Sequence, residues 1–147
     1  MLIVDKNKSI DLNIVGYEFP NANPSKKSEC FDYDANWLTI TLNYKEKNVN
    51  ETYTDNCLLT CELFDLIKAL QCIINDKDDN YMSDFLEPYL SVCITKIDTH
   101  IVFVLSFVYN TDNNKWLKRT VSAKWTKQTA NDKLTELKDM GVNFPQR

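Results

Sequence analysis

Residues 58–75, LLTCELFDLIKALQCIIN, decide the fold because they contain the clearest helix of the chain. Their apolar side chains recur every three or four residues, so they form one stripe along a helix that begins at Thr60. The stripe consists of Leu63, Leu66, Ile67, Leu70, Ile73 and Ile74. The Thr60 hydroxyl is expected to cap the first-turn amides, and the Glu62 carboxylate suits the positive end of the helix dipole. The acidic residues 76–80 predict a turn after the helix.

Alternating apolar and polar residues predict strands before this helix. Residues 9–15 have the two-residue period of a strand with one buried face. The same pattern predicts a second strand over residues 36–45 and a shorter one over residues 51–54. Residues 21–28 are mostly polar and contain a proline, which predicts the longest loop of the chain.

The pattern returns to strands after the helix, first over residues 86–94. Residues 101–109 are apolar on both faces, which indicates a central strand covered on each side. A polar hairpin loop then leads to a strand over residues 116–125, so we expect an antiparallel meander. A final helix is predicted over residues 129–140, and it should stop at Gly141.

The order of these elements predicts one α+β domain over residues 1–147. We expect a mostly antiparallel sheet of about six strands packed against one central helix, with a C-terminal helix. A chain of 147 residues with 44% hydrophobic residues is long and apolar enough to bury one core.

The overall charge favours a protein partner over nucleic acid. A formal net charge of −4 opposes general adhesion to nucleic acid, because phosphate binding requires a surface rich in lysine and arginine. The chain contains two arginines, Arg119 and Arg147, so a bidentate arginine cluster is not expected. An acidic surface is compatible with a basic protein partner.

The chain is expected to reside in the cytoplasm. Its first apolar run is too short for a signal peptide, and no segment approaches about 18 uninterrupted apolar residues. An odd number of cysteines without paired C-x-x-C spacing predicts reduced thiols, several of them buried. These cysteines are Cys30, Cys57, Cys61, Cys72 and Cys93.

Two metal sites are suggested by residue type and then disfavoured by spacing. A calcium loop would use Asp76, Asp78, Asn80 and Glu87, but Tyr81 occupies the position where that loop requires glycine. We therefore expect a solvated acidic connection there. A zinc site would use Cys57, Cys61, Cys93 and His100, whose spacing matches no finger or ribbon. No cofactor or metal is expected.

Residues suited to catalysis are few. His100 is the single histidine, and a nucleophile such as Cys57 or Cys61 would need it as a base. The paired carboxylates of Asp32 and Asp34 are more typical of turn caps than of acid–base catalysis. Aromatic side chains are more promising, since some of them can anchor a protein interface although core packing is their default. They are Tyr17, Tyr33, Trp37, Tyr89, Trp116 and Trp125.

Four short motifs, in this order, resemble those of the WapI family of bacterial immunity proteins. They are GYEFP at residues 16–20, YDANWL at 33–38, LLTCEL at 58–63 and EPYLS at 87–91. The resemblance spans about residues 10–91. Beyond Val108 the Pro-Pro-Trp ending that the family implies is absent, and a lysine-rich hairpin and a helix follow instead.

The resemblance implies a cytoplasmic immunity protein rather than an enzyme. Such a protein binds the C-terminal toxin domain of a contact-dependent or polymorphic toxin, commonly a nuclease, and blocks it stoichiometrically. Two alternatives remain, a small-molecule or peptide-binding α+β module and a hydrolase using Cys57 or Cys61 with His100. The adjacent gene would distinguish the first alternative, because immunity genes directly follow a toxin-encoding end.

The resemblance also suggests roles for single residues. The motif residues have expected structural roles, with Thr60 as a cap and Pro88 as a fixed turn. The expected core residues are Phe19, Trp37, Leu38, Leu63 and Leu90. The expected toxin contacts are Asp76, Asp78 and Asp79, followed by Glu29, Asp32 and Asp34.

Overall fold

The computed structural model describes residues 1–22 and 32–147. Its elements, in chain order, are β1 (Leu2–Asp5), β2 (Lys8–Tyr17), α1 (Tyr33–Asn36), β3 (Trp37–Glu46), β4 (Val49–Leu59), α2 (Thr60–Ile74), β5 (Asn80–Met82), β6 (Leu90–Ile97), β7 (His100–Asp112), β8 (Lys115–Thr126) and α3 (Lys127–Asn143). The α+β class, the dominance of antiparallel strands and the C-terminal helix are confirmed. Most of the predicted loop 21–28 lies outside the described residues, as do Glu29 and Cys30.

The strands form two antiparallel meanders rather than one sheet. Sheet A has the order β1-β2-β3-β4, and sheet B has the order β5-β6-β7-β8. The predicted number of about six strands is therefore too low, since the described residues contain eight. The two additional strands, β1 and β5, have four and three residues, which is too short for alternation to stand out from the sequence.

The core lies between the inner faces of the two sheets and the apolar stripe of α2. Leu63 and Leu70 of α2 are fully buried, as are Ile40 of β3 and Phe103 of β7. Burying an aliphatic or aromatic side chain of this size stabilises the fold by about 1.5–3 kcal/mol. The prediction that β7 is covered on both faces is wrong, because only its inner side chains are buried and Val104 opposite them is partly exposed.

The ends of the helices correct two predictions. Leu59 is the N-cap residue of α2, and Thr60 is already helical, so Thr60 is not the cap. The Glu62 carboxylate instead accepts a hydrogen bond from the Leu59 N–H at 2.8 Å. Gly141 does not end α3, which continues to Asn143. A Cβ atom at Gly141 would lie 3.2 Å from Ile67 Cδ1, so this glycine allows α3 to approach α2 closely.

Candidate partner-binding surface

An acidic groove of about 340 Å³ runs between α2 and β5 with the residues that follow it. Glu62 and Asp65 of α2 line one side, and Asp78 and Asp84, which flank β5, line the other. Lys68 contributes the one positive charge among the described residues that line the groove. The groove therefore presents mostly negative charge to a ligand.

The negative potential extends from the groove towards the end of β4. Burial, with smaller contributions from the nearby carboxylates of Asp55, Glu62 and Glu87, raises the pKa of Cys57 to about 12. Burial likewise raises the pKa of Tyr81 to about 12, with contributions from Asp65 and Glu62. Leu86, which precedes Glu87, donates its N–H to Glu62 at 2.6 Å, and Asp55 lies two residues before Cys57, so these carboxylates lie around the start of α2. We call them the acidic band, which consists of Asp55, Glu62, Asp65, Asp78, Asp84 and Glu87.

Hydrogen bonds of Glu62 connect the acidic band to the backbone of two neighbouring segments. Its two carboxylate oxygens accept hydrogen bonds from the Leu59 N–H at 2.8 Å and the Leu86 N–H at 2.6 Å. These bonds join the start of α2 to the segment between β5 and β6. Burial raises the pKa of Glu62, and the two amide donors only partly oppose this shift. Glu62 is therefore a structural carboxylate behind the exposed members of the band.

Replacing Glu62 by glutamine should change how stability depends on pH. Because its pKa is raised above the ordinary value of 4.5, the stability contributed by the carboxyl group is fully present below that pH. It is lost as the pH rises through the raised pKa. The free energy of unfolding of the wild type minus that of Glu62→Gln should therefore fall as the pH rises above 4.5. Urea unfolding at several pH values measures this difference. The control is Asp139→Asn, which makes the same kind of substitution at an exposed position. A difference that rises with pH contradicts the assignment.

Exposed apolar side chains accompany the acidic band. Met82 of β5 is 77% exposed, and Leu86 after it is 60% exposed. Tyr89 is 40% exposed, and its ring centroid lies 5.9 Å from that of Trp116 on β8. Large apolar and aromatic groups bordered by charges are the composition of protein interfaces. The surface is thus suited to a protein partner.

The predicted contacts Asp76, Asp78 and Asp79 do not share one environment. Asp76 forms ion pairs with Lys96 at 2.9 Å and Lys127 at 3.4 Å, and the hydrogen bonds from these lysines lower its pKa. Its charge is therefore compensated locally. Asp78 belongs to the acidic band, and Asp79 is exposed.

The two described members of the second predicted group, Asp32 and Asp34, lie elsewhere on the molecule. Asp32 accepts a hydrogen bond from the Ala35 N–H at 3.2 Å and caps the short helix α1. Asp34 is exposed and lines a separate surface depression that includes Phe19. Glu29 lies outside the described residues. Neither Asp32 nor Asp34 joins the acidic band, and the role of the three residues as toxin contacts stays a prediction.

The second and third motifs meet in a hydrogen-bond network centred on Asn36, which is fully buried. Its side-chain N–H groups donate to the carbonyls of Asp32 at 2.7 Å and Arg147 at 2.9 Å. Its side-chain oxygen accepts from the Thr60 hydroxyl and the Arg147 N–H, both at 2.8 Å. All hydrogen-bonding positions of this amide are thus used. Thr60 has a structural role, though not as a cap.

The Arg147 side chain continues this network to the first motif. Its guanidinium donates to the carbonyl oxygens of Ala35, Phe19 and Pro20 at distances of 2.6–3.0 Å. It also lies 3.7 Å from the centroid of the Tyr17 ring, a cation–π contact. Hydrogen bonds therefore hold three of the four motifs together at one end of the molecule. These motif residues have a structural role.

The expected core residues divide into three groups. Leu38, Leu63 and Leu90 are buried, whereas Trp37 is half-buried. The core assignment of Phe19 is wrong, because its side chain is 46% exposed and its carbonyl makes the important contact. Pro88 lies in the turn that precedes β6.

The geometry opposes the hydrolase alternative. Cys57 lies just before the start of α2, and His100 lies beside Ile73 and Ile74 at its other end. α2 has 15 residues and is about 22 Å long, so the thiols near its start and the imidazole are too far apart for proton transfer. The raised pKa of Cys57 also keeps its thiol protonated at neutral pH.

The residues considered for zinc are also far apart, because Cys57 and Cys61 lie near the start of α2 and His100 lies at its other end. No group of three or more His, Cys, Asp or Glu side chains within the described part of the chain is placed to hold a metal ion. The residues of the calcium template also diverge, since lysines bind the Asp76 carboxylate while Asp78 faces the groove. Among residues 1–22 and 32–147, none of the helices has the length and apolarity that a membrane crossing requires.

Comparison with protein families shows which family the chain belongs to. The model of the immunity protein WapI-like family matches residues 1–145. The chain belongs to the immunity protein WapI-like family. The match continues past Val108 through β8 and α3, so the hairpin and helix that depart from the expected ending lie within the family region. Family membership supports an immunity function for this WapI-like protein and implies a cognate toxin protein as its partner.

Comparison with solved structures gives a weaker likeness. The crystal structure of WHY3 from Arabidopsis thaliana has a TM-score of 0.49 and 10% sequence identity, covering 99% of this chain and 86% of that chain. Comparison with the curated proteins found no match.

Proposed function

We propose that this WapI-like immunity protein acts in the cytoplasm, where it neutralises a basic toxin domain by binding it stoichiometrically through the acidic band. The single observation behind this choice of surface is the convergence of carboxylates around α2 and β5, with Lys68 as the one cation among the described residues that line the groove. The exposed side chains of Met82 and Leu86 supply apolar area beside these charges.

A nuclease is the class of toxin that fits this surface best. Nucleases bind phosphates with lysine and arginine side chains, so their substrate sites carry positive potential. Protein carboxylates presented by a rigid surface can occupy such a site in place of phosphates. Complementary charge also accelerates encounter between two proteins, which favours rapid protection of the cell.

Titration of toxin activity tests this proposal. The toxin domain encoded immediately upstream of this gene is mixed with increasing amounts of the immunity protein, and the remaining activity is measured. Stoichiometric blocking predicts that activity falls linearly and reaches zero at a one-to-one molar ratio. Complete protection by a small fraction of that amount would indicate turnover and contradict blocking. Full activity at molar excess, without a complex on gel filtration, would contradict the toxin partner itself.

A further inference from the structure

Strand β4 presents an open edge. It forms the margin of sheet A and pairs with β3 on one side, and no strand in the described part of the chain pairs with its other side. With 11 residues it is the longest strand of sheet A. An edge strand of this kind directs the N–H and C=O groups of alternate residues outwards, where another strand can bind them.

β4 lacks two of the devices that commonly prevent such pairing, and the charged residues on its inner face, Glu51 and Asp55, are acidic. Its sequence, VNETYTDNCLL, contains neither proline nor lysine, the residues that proteins often place on edge strands to block strand addition. Its one irregularity in pairing lies opposite residues 38–40, near the α2 end. Residues 49–55 are therefore a regular, accessible edge.

An aromatic cleft of about 300 Å³ lies beside this edge, between β4 and sheet B. Tyr53 of β4 faces Phe107 and Tyr109 of β7, with ring centroids 4.9 Å and 6.1 Å apart. The Arg119 guanidinium already lies 4.3 Å from the centroid of Tyr109. The aromatic rings at this end of the molecule thus provide faces that accept cationic side chains.

Charge indicates which strand the edge accepts. Glu51, Tyr53 and Asp55 alternate along one face of β4, and Asp55 lines the cleft. Arg119 lies 3.1 Å from the Glu51 carboxylate and compensates its charge. Asp55 forms no ion pair within residues 1–22 and 32–147, so its negative charge remains available to a partner. A strand that presents lysine or arginine side chains to Asp55 is complementary.

We propose that the toxin adds an extended, basic strand to the open edge of β4, directing alternate lysine or arginine side chains into the cleft beside Tyr53 and Asp55. This inference rests on the proposed function, since the same toxin domain would contact the acidic band, of which Asp55 is a member. Main-chain hydrogen bonds would supply affinity, and the cleft would select the side chains.

Hydrogen exchange of the complex tests the inference. The upstream toxin domain is bound to the full chain, and amide exchange is compared between free and bound protein. Residues 50–55 should exchange at least about 10-fold more slowly in the complex, because strand addition protects outward N–H groups. Asp55→Lys should weaken binding at least about 10-fold, whereas the charge-matched control Asp139→Lys on α3 should not.

The outcomes separate this inference from the function on which it rests. If no complex forms, both are rejected. If the complex forms and protects residues of α2 and β5 while residues 50–55 exchange as in the free protein, strand addition is rejected and binding through the band stands. Protection of residues 50–55 together with normal binding by Asp55→Lys would reject the basic strand.

Discussion

Replacing Asn36 by alanine is expected to lower the free energy of unfolding by about 3 kcal/mol, because its buried amide makes four hydrogen bonds. The substitution leaves the Thr60 hydroxyl and the backbone groups of Asp32 and Arg147 without these partners. A buried polar group that loses its partner costs about 1–3 kcal/mol. Because Asn36 is fully buried, the smaller alanine side chain also leaves a cavity, which adds to this loss of stability.

Urea unfolding measures this effect. Asn43→Ala is the matched control, because Asn43 lies on the outer face of sheet A and accepts one hydrogen bond, from the Thr52 hydroxyl at 2.7 Å. Asn43→Ala should lower the free energy of unfolding by less than about 1 kcal/mol. Equal losses for Asn36→Ala and Asn43→Ala would contradict the view that the second and third motifs are joined through Asn36.

The elements that the sequence predicts well are those with a long repeating pattern. α2 shows its apolar stripe over four turns, and its predicted range differs from the observed helix by one residue at the end. Apolar and polar residues alternate over residues 9–15 in β2 and 36–45 at β3, enough to define the buried face. β1 and β5 are too short to show a period, and tertiary pairing alone makes them strands.

The helix ends were harder to predict because they depend on tertiary contacts. Threonine before an acidic first turn is typical of a cap, yet the Thr60 hydroxyl finds its partner in Asn36, 24 residues away. Glycine after a helical pattern is typical of a stop, yet Gly141 lies against Ile67 of α2. In both cases a tertiary contact, and not the local sequence preference, determines the role of the residue.

The candidate site was only partly predictable. Asp78 was identified from the acidic run after α2, whereas Asp55 and Glu87 are isolated in the sequence and 32 positions apart. The fold brings them near one another, because β4, α2 and the segment after β5 meet around Cys57. Conversely, the run itself suggested Asp76, whose charge is compensated by lysines from β6 and α3. Local density of acidic residues is thus a poor guide to surface potential.

Reversing two charges of the acidic band should have the largest effect on toxin binding. Asp65 and Asp84 are exposed and line opposite sides of the groove, so Asp65→Lys with Asp84→Lys should preserve the fold while replacing attraction by repulsion. We expect the dissociation constant for the toxin domain to rise at least about 100-fold. The loss should arise mainly in the association rate at low salt and diminish as salt screens the charges.

The most direct test of binding through the acidic band is the dissociation constant of this double variant for the upstream toxin domain, measured by titration calorimetry. The matched control is Asp112→Lys with Asp139→Lys, which changes the net charge equally at exposed positions outside the band. Binding through the acidic band predicts an affinity loss of at least about 100-fold for the band variant and less than about 3-fold for the control. Equal affinities for the wild type and the band variant would contradict it.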